Sequence, residues 1–380
     1  MNFELTKEQE FVRKMVREFA VNEVEPIAAE IDKEHRFPEE NVALMARYGM
    51  LGIPFPKEWS GADGDNVSYA ITVEELSRVC ATTGVICSAH TSLCSWPIYN
   101  YGTDEQKEKY LHDLNTGRKL GAFGLTEPNA GTDASGQQTR AEDMGDHWLI
   151  NGSKIFITNG GYADTFIVMA MTDKSKKNRG ISAFIVEKAF EGFSIGKIED
   201  KMGICGSSTA ELVFQNMKVP KENILGKPGE GFKVAMATLD GGRIGIGAQA
   251  LGIAQGAFDV TVDYMKARKQ FGRRLADMDP LRFEMSAMAT RIEAARLLLY
   301  KAASLKDNHK PYAMNAAMAK YYASEAAMDI TTKCVQLHGG YGYTRDYPVE
   351  RMMRDAKITE IYEGTTEAQK LVIAGSVFGK

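Results

Sequence analysis

Glu363 stands in Ile361-Tyr362-Glu363-Gly364-Thr365-Thr366-Glu367, a carboxylate beside a glycine and two hydroxyls, just ahead of the apolar run Leu371, Val372, Ile373. Thr366 and Gln369 have the Thr-x-x-Gln spacing of a capping box, which predicts a helix beginning just after Gly364. Such a start turns unpaired N–H groups and the positive end of the helix dipole toward the loop, a setting that suits an anion or phosphate. Gly364 lets backbone approach a ligand closely beside the carboxylate. The arrangement fits a general base; it also fits a solvated acid at a helix start, and the motif alone leaves both open.

Other stretches offer complementary chemistry. Leu125-Thr126-Glu127-Pro128-Asn129-Ala130-Gly131-Thr132-Asp133 combines turn formers with hydroxyls, as a domain junction or as a loop that hydrogen-bonds a flat heteroaromatic ring. Phe156-Ile157-Thr158-Asn159-Gly160-Gly161 adds an aromatic face, a hydroxyl and a tight turn. Asp240-Gly241-Gly242-Arg243 places an acid and a guanidinium within one helical turn, as an ion pair or a binding group. Arg268-Lys269-Gln270-Phe271-Gly272-Arg273-Arg274 reads as a charged helix end or a pyrophosphate clamp. Gly245-Ile246-Gly247-Ala248-Gln249-Ala250 matches the dinucleotide fingerprint in letters but lacks the preceding strand, so close helix packing through small residues is expected there. Cys80, Cys87 and Cys94 recur every seven residues, too far apart to ligate one ion, and read as buried small hydrophobes; no metal is expected.

The elements that must position these groups fall in three blocks. In 380 residues with 44% hydrophobic and 25% charged content, a net charge of -4 gives no basic footprint for nucleic acid. The first residues have no signal-peptide pattern and no stretch reaches about 18 uninterrupted apolar residues, so a cytoplasmic protein without a membrane span is expected. Thr6 to Gln9 forms a capping-box pattern ahead of Phe11, Val12, Met15, Val16 and Phe19 at helical spacing. Further helical patterns cover 38–48, 69–79, 86–101 and 104–114. From about Leu120 short strands take over, with Asn151-Gly152 as a hairpin signal and apolar runs at 166–171, 181–186 and 211–214, which imply a small antiparallel barrel or sandwich. Helical period returns over 233–267, 280–305, 311–337 and 366–377, a four-helix bundle with Arg345 to Lys357 as a basic turn before its last member.

In this order the segments closely resemble the acyl-CoA dehydrogenase family over essentially the whole chain, and most closely its short-chain, butyryl-CoA-type bacterial members. The resemblance rests on Thr126-Glu127-Pro128, Phe156-Ile157-Thr158, Asp240 to Arg243, Arg268 to Gly272, Gln336 to Gly340 and Tyr362-Glu363-Gly364-Thr365. It implies an α+β multidomain fold: an all-α domain (1–120), an antiparallel β-barrel (121–232) and a C-terminal four-helix bundle (233–380). It implies a homotetramer, a dimer of dimers, with FAD between barrel and bundle. Phe123, Leu125, Thr126, Gly131, Thr132, Phe156, Ile157 and Thr158 would surround the isoalloxazine, with Thr365, Thr366 and Glu367 also on FAD. Arg268, Gln336, Leu337, His338, Gly339 and Gly340 would reach the FAD of a neighbouring subunit, and Phe271 would also bind FAD. Asp240, Gly241, Gly242, Arg243, Tyr362, Gly364 and Thr132 would line the acyl-CoA.

The same resemblance makes Glu363 the base that removes the α-proton of the thioester while hydride leaves the β-carbon. Some relatives carry the base one position before the arginine of the Asp-x-x-Arg segment; Gly242 stands there, which leaves Glu363. Asp279 occupies a position where many relatives have a glutamine that contacts FAD, so that contact is in question. Trp96-Pro97 reads either as bulk that shortens an acyl pocket toward four carbons or as an ordinary core Trp. An electron-transferring flavoprotein is the expected partner, in oxidation or in crotonyl-CoA reduction. The alternatives are an acyl-CoA oxidase and a flavin-containing binding protein without turnover.

Overall fold

The computed structural model describes residues 4–379; residues 1–3 and 380 lie outside the description. The first block is helical. Helix α1 (Lys7–Phe19) opens on a reciprocal capping box, Gln9 N–H donating to Thr6 Oγ1 at 3.2 Å and Thr6 N–H to Gln9 Oε1 at 3.0 Å. Val16 and Phe19 of its apolar stripe are buried, while Phe11 points to solvent. A π-helical turn leads into α2 (Glu25–Glu34), followed by α3 (Glu39–Arg47), α4 (Asn66–Val79) and α5 (Ala81–Ser88). The chain then runs without a break through a π-helical segment, Ala89–Ser95, into α6 (Trp96–Tyr101), and after extended Gly102 and Thr103 it forms α7 (Asp104–Asn115).

The middle block is a sheet. Its strands are β1 (Gly121–Gly124), β2 (Arg140–Asp143), β3 (His147–Thr158), β4 (Thr165–Met171), β5 (Ile181–Glu187), β6 (Phe193–Ile198), β7 (Thr209–Pro220) and β8 (Ile224–Leu225). They pair in the order β6-β7-β3-β2-β4-β5-β8, with β1 parallel to β4. This path is open: among the described residues the edge strands β6 and β8 do not pair with each other, so the expected closed barrel is not found, and the β1–β4 and β2–β4 pairings are parallel. Asn151-Gly152 is not a hairpin turn. It lies inside β3 at a register shift against β7 between Ile150 and Gly152, and Gly152, at φ +141°, passes so close to Thr139 that a Cβ would fall 2.6 Å from its Oγ1. The real β2–β3 turn is at 144–146, closed by Met144 N–H on the His147 carbonyl.

The third block begins with α8 (Gly231–Ala267), then a two-stranded hairpin, β9 (Lys269–Gln270) and β10 (Arg273–Arg274), α9 (Asp279–Asp307), α10 (Ala313–His338), the short α11 (Gly340–Tyr343), α12 (Val349–Thr359) and α13 (Thr366–Phe378). The region expected as a basic turn is thus mostly helix. Val349, Met352 and Ala356 of α12 recur at helical spacing and are buried, a stripe that the surrounding charges obscure. Gly245 lies mid-helix in α8, where a Cβ would meet Ser88 Oγ at 2.2 Å and Tyr69 Oη at 2.5 Å; Cβ atoms on Gly252 and Gly256 would meet the backbone carbonyls of Glu74 and Arg78. The fingerprint look-alike therefore serves close packing of α8 on α4 and α5.

One apolar core joins the first and third blocks, a second joins the π-segment, α7 and the start of α8 to one side of the sheet, and a third lies within the sheet. Buried polar links fix the blocks to each other. His90 accepts from Gly121 N–H through Nδ1 and donates through Nε2 to the Leu114 carbonyl, both at 3.0 Å; burial holds its pKa down at about 4, so the ring stays neutral. Asp355 of α12 accepts from Ile204 N–H at 2.5 Å, and Arg354 beside it forks onto Asp32 of α2.

Candidate active site at the Glu363 turn

Between α12 and α13 the chain makes a tight turn with two consecutive left-handed residues, Glu363 at φ +51° and Gly364 at φ +91°. Glycine tolerates this; a glutamate held there costs roughly 1–2 kcal/mol and persists only where neighbours enforce it. The enforcing contacts are present. The Gly364 carbonyl accepts Lys320 Nζ at 2.6 Å and Gln369 Nε2 at 2.8 Å, and Thr366 N–H donates to the Glu360 carbonyl at 2.9 Å. The N-cap of α13 is Thr365, whose Oγ1 accepts from Ala368 N–H. The expected Thr366–Gln369 box is thus displaced by one residue, because Gln369 reaches back to the turn's carbonyls instead.

The turn aims the Glu363 carboxyl at α8. A Cβ on Gly242 would lie 2.1 Å from Glu363 Oε2 and 2.8 Å from Leu93 of the π-segment, so only glycine leaves room. Oε2 is buried and has no hydrogen-bond partner among the described residues. Burial pushes the carboxyl up to about 7, opposed by the charges of Lys320 and Arg243. Tyr362 donates its hydroxyl to Gln249, whose amide donates in turn to the Ala81 carbonyl at 3.1 Å.

On the same face of α8, Arg243 is buried against Asp240 and its Nε lacks a partner; burial lowers the guanidinium and raises the carboxyl. Gly241 faces Lys306, whose ammonium stands 5.0 Å from the Trp96 ring and 5.9 Å from Tyr312, and which burial lowers to about 8. Trp96 thus lies beside this buried cation.

The hydroxyl-rich loop lies alongside. Leu93, Phe123 and Leu125 share one apolar cluster, so the π-segment bridges the Glu363 turn and β1. Ile155 N–H donates to the Thr126 carbonyl at 2.9 Å, which brings the loop to the edge of β3. There Phe156 has φ +60° and an exposed ring, with Ile157 buried beneath and Thr126 and Thr158 half-buried beside it. Gly131 and Thr132 are exposed at the loop's outer end, and no atom lies within 4 Å of a Cβ placed on Gly131. Glu127 is internal scaffolding: it pairs with buried Lys154 at 2.7 Å and accepts from Gln138 and Thr139 N–H. An exposed apolar ring flanked by hydroxyls, beside a loop with open glycine, fits a flat heteroaromatic group.

All three blocks of the chain match family models: residues 6–118 the acyl-CoA dehydrogenase N-terminal domain, 122–217 the middle domain and 229–378 the C-terminal domain. The chain is 66% identical over 378 residues, all of it and all of the relative, to a short-chain specific acyl-CoA dehydrogenase of Clostridium acetobutylicum. It belongs to the acyl-CoA dehydrogenase family. Among solved structures it superposes on butyryl-CoA dehydrogenase from Megasphaera elsdenii with TM-score 0.98 at 52% identity, covering both chains fully. It also matches, with TM-score 0.99, 55% identity and full coverage of both, a chain solved in work on the electron transferring flavoprotein of Acidaminococcus fermentans and flavin-based electron bifurcation.

In this acyl-CoA dehydrogenase the residues singled out in the sequence, beyond those of the hydroxyl-rich loop and β3, form two groups. Glu363, Tyr362, Gly364, Asp240, Gly241, Gly242 and Arg243 come together, with Thr365, Thr366 and exposed Glu367 on the same turn. Arg268, Phe271, Gln336, Leu337, His338, Gly339 and Gly340 gather at the other end of α8. From Gly242 to the helix end at Ala267 is roughly 35–40 Å at 1.5 Å per residue. All of this second group except Phe271 border a cleft of about 510 Å³. Arg268 stands 5.4 Å from the Tyr341 ring, and His338 stacks on Tyr264 at 4.2 Å with its Nε2 buried and unpartnered. Phe271 projects from the β9–β10 turn, 96% exposed. Asp279 is exposed and pairs with Arg282. Sequence reasoning missed Lys320, Lys306, Gln249, Gln369 and Leu93. Lys320, a cation directly after the apolar run Ala316 to Ala319, carried the clearest signal.

Proposed function

We propose that this chain oxidises short-chain acyl-CoA thioesters to the 2-enoyl thioesters, with butyryl-CoA as the four-carbon substrate. The observation that carries the reading is Glu363: a carboxyl raised to about 7, with Oε2 buried and unpartnered among the described residues, held by a strained turn against Gly242, an α8 position that lacks a side chain. A carboxylate of that basicity is matched to removing a thioester α-proton near neutral pH. FAD, the cofactor on which acyl-CoA dehydrogenases depend, supplies the acceptor for the β-hydrogen as hydride. The proton taken by Glu363 and the hydride together account for both hydrogens lost.

We assign the remaining roles from the site. Phe123, Leu125, Thr126, Gly131, Thr132, Phe156, Ile157, Thr158, Thr365, Thr366 and Glu367 hold the flavin. Asp240, Gly241, Gly242, Arg243, Tyr362, Gly364 and Thr132 hold the acyl-CoA, with the Glu363 N–H as donor to the thioester carbonyl. Arg268, Phe271, Gln336, Leu337, His338, Gly339 and Gly340 lie too far along α8 to share that site within one chain, which supports their serving a neighbouring subunit's FAD in a homotetramer. We read the working units as 1–120, 121–232 and 233–380, the location as cytoplasmic and the partner as an electron-transferring flavoprotein; the last rests on the similarity to the chain studied with such a flavoprotein.

Anaerobic mixing of the FAD-loaded protein with butyryl-, octanoyl- and isovaleryl-CoA tests this reading. Butyryl-CoA should bleach the flavin absorbance at least about tenfold faster than the other two, a difference that a few contacts in an acyl pocket can supply. Equal bleaching by all three contradicts the short-chain assignment, and bleaching by none contradicts the reaction.

A further inference from the structure

Lys320 is fully buried in α10, preceded in sequence by Ala316, Ala317, Met318 and Ala319. Removing an ammonium from water costs several kcal/mol, so a buried lysine needs a partner that uses its charge. Its hydrogen-bond acceptor is the Gly364 carbonyl at 2.6 Å, yet Gln369 Nε2 already satisfies that oxygen at 2.8 Å without any charge. The hydrogen bond alone therefore does not explain a lysine.

The groups around the turn identify what the charge is for. Glu363 presents a carboxyl without a hydrogen-bond partner at Oε2. Glu360, on the same turn, has its own ion pair with Lys357 at 2.6 Å, and Glu367 on α13 is exposed. From α8, Arg243 faces the same carboxyl but is paired with Asp240. From α4, Tyr69 is engaged with Ser88 at 3.1 Å, and Tyr362 is engaged with Gln249. Lys320 is left as the cation at this turn that forms no ion pair within 4 Å among the described residues, its ammonium held on the Gly364 carbonyl, one residue from the unpaired Glu363 carboxyl.

From this arrangement we infer that Lys320 is a positioning residue for Glu363: it clamps the Gly364 carbonyl from behind the turn, and its charge keeps the Glu363 carboxylate ionised near neutral pH. The inference rests on Glu363 being the base. Consistent with it, Lys320 is the larger of the two cationic influences that hold Glu363 down, and burial brings Lys320 itself to about 8.

The test compares Lys320→Met, Lys320→Gln, Lys320→Arg and Gln369→Leu in the FAD-loaded protein. The rate of flavin bleaching by saturating butyryl-CoA is followed from pH 5.5 to 9, together with an infrared titration of the carboxyl band assigned by Glu363→Gln. Removing a positive charge beside a carboxylate should move the acid limb and the infrared midpoint up by about one pH unit in Lys320→Met. The rate below the limb then falls about tenfold and recovers toward pH 9. Lys320→Gln, which keeps a donor for Gly364 but no charge, should behave the same way and carries the comparison if the Met variant does not fold. Lys320→Arg should restore the midpoint, and Gln369→Leu should slow bleaching evenly at every pH without moving it. An unmoved midpoint in folded Lys320→Met or Lys320→Gln overturns the inference. Bleaching by Glu363→Gln at the wild-type rate overturns instead the functional reading beneath it, whatever the infrared titration of Lys320 variants gives.

Discussion

The Glu363 carboxyl is held in a state that costs folding energy. Its pKa rises from an ordinary 4.5 to about 7 in the fold, so the protonated form is the one the fold favours. The associated stability is present below pH 4.5 and is lost as the pH rises through about 7, which corresponds to a penalty of up to ~3 kcal/mol. Glu363→Gln should therefore raise the thermal midpoint at pH 8, with the gain shrinking toward pH 5; an equal gain at both would contradict the burial account. Gly242 is the complementary residue. Gly242→Ala places a methyl 2.1 Å from Oε2 and should cost ~10²-fold or more in bleaching rate through misplacement of the base, while far-ultraviolet circular dichroism stays that of the parent. Retained activity in Gly242→Ala would show that the carboxyl is free to move aside. Sequence made Glu363 and Gly242 legible because family order singles out their positions. It could not reveal their contact, since 121 positions separate them and only the strained turn brings them together.

At the scale of elements, legibility followed how local the determining forces were. Long amphipathic helices and the strand runs 166–171 and 181–186 were readable from period alone. Three signals misled where a tertiary contact overrode a local preference. Asn151-Gly152 became a bulge because β3 continues to pair with β7 on both sides of it; the Thr366–Gln369 box gave way to a Thr365 cap because Gln369 is drawn to the turn; and α12 hid its buried stripe among charged residues. The glycines of α8 were rightly separated from a nucleotide fingerprint by context, and the structure shows their work. Gly256→Val should lower the urea midpoint markedly, by an overpacking cost of about 3 kcal/mol or more, since even a Cβ there would come 1.9 Å from the Arg78 carbonyl oxygen. A midpoint within error of the parent would mean α8 and α4 are not in close contact.

The whole molecule divides its candidate residues between the two ends of α8, one end holding the Glu363 turn and the other the Arg268 and Gln336 to Gly340 cluster. If the second cluster completes a neighbouring subunit's cofactor site, two crippled chains should complement each other. Co-expressed Glu363→Gln and Arg268→Ala chains should yield mixed oligomers with more flavin-bleaching activity than either homogeneous variant, because one chain contributes the base and the other the arginine. Activity no higher than the better single variant contradicts that arrangement.

The central claim is that Glu363 takes the thioester α-proton, and single-turnover mixing of butyryl-CoA with FAD-loaded wild type and Glu363→Gln measures it most directly. Loss of a positioned base should slow flavin bleaching by about 10³-fold or more, with butyryl-CoA still binding to the variant. Bleaching of Glu363→Gln at a rate comparable to wild type would contradict the claim.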